Sequence, residues 1–105
     1  MSSLKDKLDA PKVDLTEPSL PGLAYLLRHR ELWPAGFKWF YPDVNRCAVG
    51  LFAAKWGYPH GRKPLRALMK WDEDAYASIF MNIFRSWRPE GVANRIDKYL
   101  ARVQN

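Results

Sequence analysis

Trp33-Pro34-Ala35-Gly36-Phe37-Lys38-Trp39-Phe40-Tyr41-Pro42 runs directly into Asp43-Val44-Asn45-Arg46-Cys47-Ala48-Val49-Gly50-Leu51-Phe52-Ala53-Ala54-Lys55-Trp56-Gly57-Tyr58, and these residues hold eight of the fifteen aromatic side chains of a 105-residue chain. Large rings dominate the energetics of a small core. Here they sit on a segment broken by proline and glycine and on the helix that follows it. The other helices are therefore expected to close over this segment. Five rings within nine residues (Trp33, Phe37, Trp39, Phe40 and Tyr41) are difficult to bury completely. The expectation is four buried and one partly exposed, with Trp39 and Tyr41 the candidate partner anchors, because such rings supply many interface hot spots. Lys38 and Arg46 are interleaved with these rings, as in surfaces that stack nucleic-acid bases, although the spacing matches no single-strand-binding template.

On the C-terminal side of Pro42, Asp43 is expected to cap a helix over about 44–56. Val44, Ala48, Leu51 and Lys55 form one row of it, and Cys47, Leu51 and Ala54 the next. Gly50 inside a helix costs about 1 kcal/mol relative to alanine. It marks a close backbone approach, read here as a crossing helix, so that leucine at this position should overpack severely. Trp39-Phe40-Tyr41 has the composition of one short strand, but no second strand is evident to pair with it.

On the N-terminal side, Ser19 is expected to cap a first helix with Pro21 in its first turn. Leu20, Leu23, Ala24, Leu27 and Glu31 fall at helical spacing, Tyr25 and Leu26 widen the apolar face, and Arg28-His29-Arg30 suit the negative end of the dipole. Residues 1–18 read as a polar arm, either without order or ordered by a partner, ahead of a single domain at 19–105.

Beyond Tyr58, the Gly57–Pro64 loop leads into a short helix at 65–71. Asp72 to Trp87 has the clearest period, with Ala75, Tyr76, Ile79, Phe80, Ile83, Phe84 and Trp87 on one stripe. The acids Asp72, Glu73 and Asp74 suit its positive end, which accounts for them without a metal. A last helix at about 90–102 turns Val92, Ile96, Tyr99, Leu100 and Val103 inward. The fold class is all-α or nearly so: four main helices plus a short one around a Trp/Phe-rich segment.

The chain carries a net charge of +6, unevenly: −1 over residues 1–17 and +7 over residues 18–105. Such a surface attracts polyanions by neutralising phosphates and releasing counterions. Two clusters are candidate nucleic-acid or anion contacts: Arg62, Lys63, Arg66 and Lys70 around the short helix, and Arg88, Arg95, Lys98 and Arg102 along the last one. A solvated outer face is the plain alternative for each. The single cysteine and two histidines exclude a cysteine-rich zinc site and an intrachain disulfide. There is no phosphate loop and no apolar run of membrane-spanning length. A cytoplasmic protein is expected, with no cofactor, no metal, no small-molecule substrate and no membrane association.

Three functions follow as expectations. The first is a non-catalytic binding protein whose basic helix faces meet nucleic acid, a nucleoprotein assembly or an acidic protein surface. The second is a protein–protein adaptor, inhibitor or small accessory subunit. The third is a small enzyme with Cys47 as nucleophile and His29 or His60 as base; against it, Cys47 shares a face with Leu51 and Ala54, as a core cysteine does.

Overall fold

The computed structural model describes residues 13–43, 45–69 and 73–104, the side chains of 73–78 and 104 apart. Most of the expected polar arm, Lys70, Trp71, and the inward placement of Ala75 and Tyr76 lie outside the described residues. So do the side chains of the acid triplet. The rest is helical as expected, with no strand among the described residues.

Among the described residues five helices follow one another: α1 (Leu20–Arg28), α2 (Ala48–Trp56), α3 (Arg62–Ala67), α4 (Glu73–Phe84) and α5 (Pro89–Gln104), with a 3₁₀ turn at Arg30–Leu32. Ser19 caps α1 as expected, its Oγ accepting from Gly22 N at 2.9 Å. Glu31 falls in the 3₁₀ turn and not on α1. Tyr25 is exposed and stacks on His29 at 4.1 Å, so the apolar face is narrower than its composition implies.

α1 and α5 form the most extensive helix pair. Leu20, Leu23, Leu26 and Leu27 meet Val92, Ile96 and Tyr99 in one core with Leu51, Phe52, Leu65 and Phe84. Burying a leucine contributes about 1.5–3 kcal/mol, so this pairing organises the domain. At its edge Arg28 Nη2 donates to both Asn94 Oδ1 and Asp97 Oδ2 at 2.7 Å.

The helix after Pro42 starts four residues later than expected, with Cys47 at its N-cap. Asp43 does not cap it. Its Oδ1 accepts from Asn45 N at 2.8 Å and its carbonyl accepts from Arg46 N at 2.9 Å, while Phe40 N donates to Arg46 O. An aspartate that bonds its own backbone two residues on makes a turn, and that turn consumes the first turn of the expected helix. The same loop supplies the close approach at Gly50. A Cβ there would strike the Asn45 carbonyl, so the intruding backbone belongs to the preceding loop and not to a crossing helix. α3 approaches α2 in a similar way through Gly61, whose added Cβ would strike the Val49 carbonyl and lie 3.2 Å from Ala53 Cβ.

α3 also begins earlier than expected. Pro64 sits in its first turn, where a missing N–H is not needed, so Arg62 and Lys63 are helical. α4 ends at Phe84, which removes Trp87 from the inward stripe; its side chain is 67% exposed. Pro89 starts α5 and disfavours helical geometry at the residue before it. Ser86 Oγ accepts from Arg88 N at 3.2 Å and completes the break.

Candidate anion-binding surface

The irregular segment is fixed through its indoles. Trp33 Nε1 donates to Leu26 O at 2.7 Å, and Trp39 Nε1 donates to Trp87 O at 2.9 Å. Trp56 Nε1 donates to Leu15 O at 3.0 Å and ties the end of the arm to α2. The Trp33 and Trp56 bonds satisfy part-buried donors, and all three bonds join this segment, or the helix after it, to another part of the chain. Trp39 and Tyr41 are half-buried because they are turned inward; Phe40 between them is turned out and is 51% exposed. Within this segment the exposed ring is therefore Phe40, where Trp39 or Tyr41 was expected, and Trp87 beyond α4 is exposed as well.

Three cations border a groove of about 360 Å³ or its extension. It is lined by Val49, Phe80, Met81 and Phe84 together with Tyr41, Arg62 and Arg85. Arg85 Nε donates to Tyr41 Oη at 3.0 Å, and the Arg62 guanidinium lies 5.8 Å from the Phe80 ring centre. Arg66 joins Arg62 around a smaller adjoining hollow against Phe80 and Met81. Lys63 is exposed but borders neither space.

A second groove, of about 350 Å³, lies between α4 and α5. Ile79, Ile83 and Tyr99 line it together with Asn82, Arg95, Lys98 and Arg102. Three of the cations expected on the last helix thus meet in one place. They are not equivalent. Arg95 Nη1 donates to Asn82 O at 2.9 Å and to Arg85 O, two carbonyls at the end of α4. Arg88 precedes α5, is exposed, and does not line this groove.

A third, open groove of about 610 Å³ is formed by Arg30, Trp33, Pro34, Phe37, Lys38 and Trp39. Arg30 lies over the Trp33 ring at 5.1 Å. The sequence pattern assigns Arg30 to the negative end of the first helix dipole and does not single out Arg85, which falls inside the helix expected over 72–87. Across all of these hollows the described lining residues include arginine or lysine and no aspartate or glutamate.

Cys47 is buried at the edge of the first groove. Neither histidine lines that groove; His29 instead meets Glu31 at 3.2 Å. The Glu31 carboxyl is held below its usual value by its own backbone N–H and by His29. Among the described residues, no three His, Cys, Asp or Glu side chains gather into a metal site, and no helix is long and apolar enough to cross a membrane. No family model, curated protein or solved structure matches this chain.

Proposed function

We propose that this chain is a non-catalytic binding protein whose partner is nucleic acid. The observation that carries the reading is the lining of its grooves, where cations recur without carboxylates among the described residues. A surface serving only solubility intersperses both signs, and a carboxylate inside a groove would repel phosphate. The body of the chain carries +7, and Arg30 and Arg62 lie over rings that line these grooves. Lys98 and Arg102 project from successive turns of α5 into one groove, and Arg95 is held beside them by the end of α4. Arginine presents its donors in a planar fork suited to phosphate oxygens, and the rings beside it offer stacking surface.

The test is fluorescence anisotropy of labelled DNA and RNA at low and at physiological salt. Binding is expected to persist at physiological salt. The logarithmic salt dependence should fall with a slope of about −0.7 per phosphate on a single strand or about −0.9 on a duplex. Absence of binding, or its complete loss at physiological salt, would refute the reading and leave the charge generic. The exposed rings would then point to a protein partner.

A further inference from the structure

We infer that the nucleic acid is a single strand, with bases stacked on the Trp87 indole and phosphates held by the arginines on either side; this rests on the reading above and specifies its ligand. The carrying observation is a continuous path of rings and cations across the irregular segment and the α4–α5 connection. Arg30 covers Trp33, whose ring centre lies 6.1 Å from that of Trp39. Trp39 donates to the Trp87 carbonyl, and the Trp87 ring lies 5.0 Å from Tyr41. The Tyr41 hydroxyl accepts from Arg85, which borders the same groove as Arg62.

Trp87 stands at the middle of this path with its indole 67% exposed. Among the described residues, Trp39 bonds the Trp87 carbonyl, which any residue provides, and the Trp87 ring meets Tyr41 at an interplanar angle of 61°. Ring faces serve a single strand, whose bases are free to turn outward. In a duplex those faces are already stacked, and a reader must work from the groove edges instead. The rings of the path lie on residues 33–41 and on the break at 85–88, and not along a long helix face of the kind that enters a major groove.

Three labelled probes of equal length test this: a single-stranded oligonucleotide, the same strand with abasic sites, and its duplex, with the intact single strand also measured against Trp87→Ala and Trp87→Phe. The intact single strand is expected to bind most tightly. Trp87→Ala should weaken it roughly 5- to 150-fold, the span covered by losing one stacking ring. Its salt slope should not change, because no phosphate contact is removed. Trp87→Phe should retain most of the affinity, and the abasic strand should bind wild type no better than the intact strand binds Trp87→Ala. The exposed side chain predicts a near-wild-type melting temperature for both variants. Equal binding of abasic and intact strands, an unaffected Trp87→Ala, or tighter binding of the duplex would overturn the inference while leaving salt-dependent nucleic-acid binding in place. Failure of wild type to bind any of the probes would overturn both.

Discussion

Arg95→Gln separates a cation that builds the fold from groove-lining neighbours proposed to meet nucleic acid. α4 ends with carbonyls that lack intrahelical partners, and Arg95 Nη1 donates to two of them, at Asn82 and Arg85. A charged donor on a carbonyl contributes roughly 1.5–3 kcal/mol, and a cation at a helix C-terminus about 0.3–1 kcal/mol. The Arg95 side chain is exposed, so water competes for both ends of these bonds. The lower ends of the ranges then apply, giving a loss of about 1–2 kcal/mol. In a domain of this size that lowers the melting temperature by about 4–16 °C. Lys98 and Arg102 make no comparable bond among the described residues, so glutamine at either should change stability by less than about 0.5 kcal/mol. The assay is thermal melting followed by circular dichroism at neutral pH, with the salt slope of oligonucleotide binding measured on the same proteins. Replacing Lys98 and Arg102 together should flatten the single-strand slope by about 1.4 without changing the melt. An Arg95→Gln variant melting within about 2 °C of wild type would refute the capping argument, and an unchanged slope in the double variant would remove the α5 groove from the interface.

Gly50→Ala sets two effects against each other. Helix propensity alone favours alanine by about 1 kcal/mol, but its Cβ would strike the Asn45 backbone, which cannot swing aside as a side chain can. Overpacking costs typically 1–3 kcal/mol, so a lower melting temperature is expected, and an equal or higher one would show that the 40–46 loop yields freely. Asp14 is held below the ordinary aspartate value by the Thr16 hydroxyl and N–H, so its charged form is favoured in the fold. That contribution is present above the unfolded carboxyl value and is lost as pH falls through the folded one. Thr16→Val should raise the Asp14 midpoint in an NMR titration, and an unmoved midpoint would contradict the hydroxyl as the main cause.

The helices were legible in the sequence wherever one local signal met no competitor. Ser19 with Pro21 placed the start of α1, and the apolar spacing from Val92 to Tyr99 placed the buried face of α5. Errors arose where two local preferences competed for the same backbone. Asp43 can cap a helix or close a turn on Asn45, and the sequence does not say which; the turn prevails and delays α2 to Ala48. Trp87 continues the apolar period of α4, yet Pro89 and Ser86 end the helix before reaching it. Composition placed many rings around residue 40. It could not reveal which ring faces out, because that depends on carbonyls at Leu26 and Trp87, which lie outside the segment.

The same distinction governs the charge. Arg28 is engaged with Asn94 and Asp97, Arg46 with Asp43, and Arg95 with the end of α4. Each of these arginines is already directed at an oxygen of the protein itself. Arg30 and Arg62 instead lie over rings, and Arg85 gives its Nε to a phenol. A guanidinium over a ring keeps its full charge, and its edge donors remain able to meet phosphate while the ring limits its rotamers. Preorganised donors lose less entropy on binding than free lysines do. If the partner is nucleic acid as proposed, the affinity is expected to depend on the ring-held arginines and the α5 pair more than on the +7 of the body. A neutralisation series that removed Arg28 and Arg46 would lower net charge with little effect on binding; the same number of charges removed at Arg62 and Arg85 would lower it steeply.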